Sequence, residues 1–406
     1  MSNSSVPVRT AGASQAFALL LSIQIPIFPI LILVPNLPGL MTQFAAVAGH
    51  EYLVPMIITV PAAGLVLLSP VAGGLADLVG RRRLLLGGLA LYTICSLLPL
   101  ALHELKSILA AQAGVGVADA VIMTSGNSLL GDYFTSLGQR KWLGMQSIAV
   151  PFLSAAVTLA AGLLGTVSWR APFLINGIGA VAWGWIFLAT WEPAKANQAA
   201  RDPLETQEVQ FPWRRMAAIG SVTLATSFCY YAAALHLGLI FAALGATSSG
   251  TISVLIMLCN IGIVGAGFYF RSQHRGTAAN LCLLYGGFAL GLLGMGLAGG
   301  YLASLPFAIL LHFGVGLTIP LLIGWVLSSV DFRYRGRAMG IFMSCFFCGQ
   351  FICPPVITLL THAAGGILHA VVVVGIACAS MALISLAAAR MNSRLGRPIV
   401  AYPANP

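Results

Sequence analysis

A chain of 406 residues that is 59% hydrophobic and only 7% charged is not an ordinary water-soluble domain, in which about a quarter of the residues are charged. With a mean hydropathy of +0.94, most of it has the bilayer as its solvent. The net charge of +10 does not point to nucleic acid, because the basic residues lie in small groups between apolar runs and form no basic face.

The first fifteen residues are polar with a single Arg9, and the apolar run after them is long enough to span a membrane rather than serve as a cleaved signal. Runs of about 20 apolar residues, the length a spanning helix needs, recur twelve times. Their soft edges are about 15–38, 50–76, 83–103, 106–131, 142–166, 171–191, 215–243, 249–270, 278–300, 302–328, 337–361 and 366–390. The expected fold is an all-α membrane protein of twelve transmembrane helices in two six-helix, pseudo-symmetric bundles. Residues 1–191 form the first bundle, 192–213 a solvated cytoplasmic linker rich in proline and charge, and 214–406 the second.

In the first segment Gln24 precedes Pro26 and Pro29, which take the usual hydrogen-bond donors from the carbonyls of Ser22 and Ile25. Such a stretch suits a cavity wall, or a simple packing kink. Between segments 2 and 3 lies Gly73-Gly74-Leu75-Ala76-Asp77-Leu78-Val79-Gly80-Arg81-Arg82-Arg83, a tight charged turn in which Gly80 permits the bend.

Segment 4 holds the sharpest signal. Asp119 lies 13 residues past Lys106, roughly 20 Å along a helix and near mid-membrane. A charge is expensive there, so the group is expected to hold a proton for part of the time, as proton coupling requires. The alternative is a permanently protonated, structural aspartic acid. Gln112, Gly116, Asp119, Met123 and Asn127 follow helical spacing and share one face, which is expected to look into a cavity.

Elsewhere, Gln146 on segment 5, Thr226, Ser227, Tyr230 and Tyr231 on segment 7, Asn260 on segment 8 and Gln350 on segment 11 are further cavity candidates. His312 on segment 10 lies at a depth like that of Asp119; it either pairs with it or carries protons, or is a satisfied structural residue. His236, late in segment 7, reads as structural. All eight cysteines fall within apolar runs, so Cys345 and Cys348 read as packing residues and no metal site is expected. No phosphate-binding glycine loop or hydrolase-type constellation occurs; neither an enzyme nor a cofactor is expected.

With both termini placed in the cytoplasm, all of the 20 Lys and Arg except Lys106 and Arg170 fall on the inside. The halves also repeat: Lys141-Trp142-Leu143-Gly144 corresponds to Arg337-Ala338-Met339-Gly340 at an offset of 196, which also places segment 4 on segment 10 and Gly80 on Gly276.

Twelve segments in two halves with this loop resemble the major facilitator superfamily. Its loop pattern, Gly-x-Leu-Ala-Asp-Arg-x-Gly-Arg-Lys-Arg, is matched at Gly73, Leu75, Ala76, Asp77, Gly80, Arg81 and Arg83, conservatively at Arg82, and departs at Leu78. The resemblance implies that helices 1, 4, 7 and 10 line a central cavity. It also implies that Gly73, Asp77, Gly80 and Arg81–Arg83 gate the cytoplasmic side. The family's Arg-x-x-x-Gly on helix 4 is absent, Ala110 preceding Gly114. Of the exporter signature on helix 5 only Gly162 is kept, whereas Trp169-Arg170 resembles the exporter pattern.

The expected function is therefore secondary transport of a small organic solute by alternating access: proton-coupled efflux, with proton-coupled import of a metabolite as the alternative. A non-transporting membrane sensor or assembly partner is the reading from another class, and Asp119 at mid-membrane argues against it. The expected partners are solute, protons and lipid. The expected setting is a bacterial inner membrane, with the protein a monomer.

Overall fold

The computed structural model describes residues 11–134, 136–192, 211–272, 275–330 and 334–394, with side chains masked at some positions inside helices. These residues are helical nearly throughout, with no strand among them. The twelve units are α1 (Ala13–Gln43), α2 (His50–Val79), α3 (Arg81–Leu100), α4 (Leu105–Tyr133), α5 (Ser136–Val167) and α6 (Ala171–Ala189), then α7 (Trp213–Ala243), α8 (Ser249–Ser272), α9 (Thr277–Leu297), α10 (Tyr301–Ser329), α11 (Arg335–Ala364) and α12 (Ile367–Arg394). Eleven are long and apolar enough over their described residues to cross a membrane. The twelfth, α5, carries a shorter apolar run, Phe152–Val167.

The first helix accommodates its prolines by tightening. At Ile25–Ile27 and Val34–Asn36 it becomes a 3-10 helix. There the Ile25 amide donates to the Ser22 carbonyl and the Phe28 amide to the Ile25 carbonyl. The carbonyls that proline leaves without their usual donors are thus re-satisfied one residue earlier, as hydrocarbon demands.

In lipid, helices associate through close packing rather than through exclusion of water. Parallel α2 and α4 show this: a Cβ built on Gly64 would lie 2.8 Å from Cα of Gly116. Within the first six helices α4 packs on α1, α2 and α3, and α3 on α6; within the last six α9 packs on α10 and α12, and α7 on α11.

Across the halves the main contacts are α5 with α8 and α2 with α11. They gather at one end of the molecule, opposite the Arg81–Arg83 turn. There Thr358 donates to the Glu51 carbonyl at 3.1 Å and the Tyr52 and His362 rings stack at 5.9 Å. Asn36 of α1 donates to the Ala161 carbonyl of α5 at 3.1 Å. The buried core follows the same division. One continuous cluster runs from the last six helices into this end of the first six, through Phe28, Ile32, Val54, Ile57, Leu105 and Val157. A second cluster (Leu19, Leu89, Tyr92, Ile122, Leu129 and Ile186) stays inside the first six, toward the arginine turn. The halves are fused at the far end and keep separate cores at the arginine end.

Candidate functional site

Between the halves lies a cavity of about 510 Å³, lined from α1, α2, α4 and α5 on one side and α7, α8, α10 and α11 on the other. Among the described residues, none of its lining comes from α3, α6, α9 or α12. This is the expected cavity of α1, α4, α7 and α10, widened by four further helices. At the 196-residue offset Asp119 and Met123 fall on Val315 and Ile319, and all four line the cavity.

Of the residues singled out in the sequence, Gln24, Asp119, Met123, Tyr230, Tyr231, Asn260, His312 and Gln350 line this one space. Asp119 has no exposed surface, and neither of its carboxyl oxygens has a hydrogen-bond partner. Tyr92 of α3 lies near enough behind it to interact electrostatically, with its hydroxyl donating to Asn176 at 3.0 Å. No Lys or Arg is among the described lining residues. The expected Asp119–His312 pair is not formed, because a His312 ring nitrogen instead meets the Ala308 carbonyl one turn back on its own helix, at 2.9 Å.

The polar face of α4 is corrected at both ends. Gln112 is buried and does not line the cavity; this part of α4 lies under α2, where a Cβ on Gly116 would fall 2.6 Å from the Pro61 carbonyl oxygen. Asn127 is exposed and turns back on its own helix, donating to the Met123 carbonyl at 2.7 Å. On α7, Thr226 and Ser227 serve packing: Thr226 bonds Tyr285 of α9 at 2.6 Å and Ser227 donates to the Phe346 carbonyl of α11. His236 is buried outside the cavity lining. The side chain of Gln146 lies outside the described residues.

Two features escaped the sequence reading. The first is aromatic. Phe346 packs on Tyr230 and Tyr231 at centroid distances of 5.5 and 5.4 Å, and the two tyrosines meet edge-to-face at 4.8 Å. The adjacent Phe346-Phe347 pair was the available signal. The second lies at the arginine turn. Arg81 pairs with Asp132 at the end of α4, and Arg82 donates to the Phe187 carbonyl at 2.8 Å and to Thr190 at 3.2 Å. The Glu192 carboxylate accepts the backbone amides of Arg82 and Arg83, both at 3.3 Å, and so caps α3. Gly80, at φ +105°, makes room for it, whereas its expected mirror Gly276 is ordinary extended backbone at φ −67°. The surroundings of Gly73 and the side chain of Asp77 lie outside the described residues.

Comparison with known proteins fits this arrangement. The family model for the Major Facilitator Superfamily matches residues 16–354. The chain belongs to the major facilitator superfamily. It is thus a multi-pass membrane protein of a transporter family. Among superfamily relatives, it is 36% identical over 127 residues to the cephamycin export protein CmcT of Amycolatopsis lactamdurans, covering 29% of this chain and 24% of that one. It is 29% identical over 153 residues to the efflux pump dotC of Dothistroma septosporum, covering 37% and 26%. The chain thus spans about a quarter of the length of these relatives. Among solved superfamily structures, a peptide transporter POT mutant superposes with a TM-score of 0.72 at 14% identity, covering 96% and 97% of the two chains. The xylose transporter XylE from E. coli, inward open, gives 0.70 at 13%, covering 91% and 94%. At such identity these likenesses concern the fold.

Proposed function

We propose that this protein exports a small organic solute by alternating access, in exchange for protons. The observation that carries the proposal is Asp119, a carboxyl without hydrogen-bond partners at the wall of a cavity between two bundles. An acid in that place binds a proton when the cavity faces one side and releases it when the cavity faces the other. His312, at the opposite wall, is the second proton site. Gln24, Met123, Tyr230, Tyr231, Asn260 and Gln350 contact the solute.

Residues 1–191 and 214–406 rock against each other about the cavity, joined by 192–213. The arginine end is cytoplasmic, in keeping with the distribution of Lys and Arg. Both termini lie on that side of a bacterial inner membrane, and the monomer is the working unit. Contacts between the bundles at the far end suit an inward-open state. In the opposite state the turn carrying Gly73, Asp77, Gly80 and Arg81–Arg83 closes the arginine end. Export is favoured over import by the names of the relatives, an export protein and an efflux pump.

The experiment is a solute screen in inside-out vesicles under an imposed pH gradient, with proton movement as the readout. Solute-evoked proton movement that is present in the wild type and lost in Asp119→Asn supports the proposal. Movement that persists unchanged in Asp119→Asn overturns the coupling role.

A further inference from the structure

The cavity walls differ in chemistry. On the α4 side stands Asp119, with no exposed surface and no hydrogen-bond partner for either carboxyl oxygen. On the α7–α11 side Tyr230, Tyr231 and Phe346 form a packed aromatic cluster. The titratable groups around Asp119 are Tyr92 from α3 behind it, and Tyr230 and Tyr231 from α7 and His312 from α10 across the cavity. The described residues of α1 and α2 that line the cavity are uncharged.

We propose, building on the transport reading of this site, that the cavity takes amphipathic organic cations, seating the cationic group at Asp119 and the apolar body against Tyr230, Tyr231 and Phe346.

Three physical arguments lead there. A buried acid without a partner can ionise only when a counter-charge reaches it, and the described cavity wall supplies no Lys or Arg to provide one. An anionic solute would meet that carboxylate with no compensating cation. Aromatic faces attract cations through the ring quadrupole, the more so where water is excluded. The volume of about 510 Å³ is in the range that holds a drug-sized molecule, and the rest of the lining is largely Ile, Leu, Val and Pro. Because the carboxylate belongs to the first half and the aromatic cluster to the second, a bound cation bridges the two halves.

The test uses the purified full-length protein in a neutral detergent and two ions of nearly the same shape, tetraphenylphosphonium and tetraphenylborate. Equilibrium binding near neutral pH is expected to favour the phosphonium by at least about tenfold. Asp119→Asn should bring the two affinities within about twofold, and Asp119→Glu should restore the preference. Equal or tighter binding of the borate by the wild type overturns the proposal, and that comparison needs no variant. So does an undiminished preference in Asp119→Asn. Binding is measured without transport, so the two ideas fail separately. Cation preference without proton movement in vesicles defeats the exchange mechanism alone, whereas proton-coupled transport without cation preference defeats the substrate class alone.

Discussion

Thr358 on α11 donates its hydroxyl to the backbone carbonyl of Glu51 on α2, 307 residues earlier in the chain. The bond joins the two halves at the end away from the arginine turn, beside the Tyr52–His362 stack and the α5–α8 contact. A closure of this kind consists of a few polar contacts and close helix packing.

That closure predicts the effect of a wedge. A Cβ on Gly162 would fall 2.6 Å from the Ser249 carbonyl oxygen, so Gly162→Leu forces α5 away from α8. A cysteine placed at Asn260 in a background without the native thiols should then be labelled several-fold faster by an impermeant reagent applied at the far end. Unchanged labelling would show that α5 and α8 do not control that entrance.

The Glu192 cap predicts a stability effect at the opposite end. Glu192→Ala removes an anion from the N-terminus of α3 and should cost about 1 kcal/mol, read as a lowered Tm in detergent. Gly80→Ala should cost roughly 1–3 kcal/mol, because φ is +105° and the new Cβ would lie 2.9 Å from the Glu192 carboxyl carbon. The double variant should lose less than the sum, since Gly80→Ala already displaces the cap.

A second brace holds the start of α7. The Arg337 guanidinium lies 4.8 Å from the Phe211 ring centroid and 4.4 Å from that of Trp213. Arg337→Gln should lower stability by about 1 kcal/mol, the scale of an exposed cation–π contact, whereas Arg337→Lys should recover part of the loss. Equal Tm values for all three proteins would show that the brace contributes nothing.

In the proposed exchange, proton and cation compete for Asp119. Protonation neutralises the carboxylate, so acidification should weaken tetraphenylphosphonium binding, and the loss should reach about tenfold per pH unit once the acid is mostly protonated. Binding by Asp119→Asn should be flat over the same range. A matching pH slope in Asp119→Asn would assign the titration to another group, with His312 the next to test.

The arginine turn shows where sequence reading stopped. Gly73–Arg83 identified itself by composition, and its position between the second and third spans was legible. Its partners were not: Asp132 lies 51 residues from Arg81, and Glu192 more than 100 from the amides it caps. No local pattern ties such groups together. Helix α4 gives the same lesson, since helical spacing put Gln112 and Asn127 on the face of Asp119 but could not say which neighbour covers each turn. Gln112 is buried, and α2 approaches α4 closely one turn further on, at Gly116. The proline-rich α1 was more readable, because the loss of amide donors is a local fact with a local remedy.

The sequence by itself determined the spans, because a hydrocarbon core admits only backbone that satisfies its own hydrogen bonds along about 20 apolar residues. It also marked Asp119 as exceptional, since an acid within such a run has no local reason to be there. Only the tertiary structure decided that Asp119 faces Tyr230, Tyr231 and Phe346 across one cavity, and that the halves meet at one end. These are contacts between distant parts of the chain, set by how close glycine lets two helices come and by which faces that packing leaves uncovered.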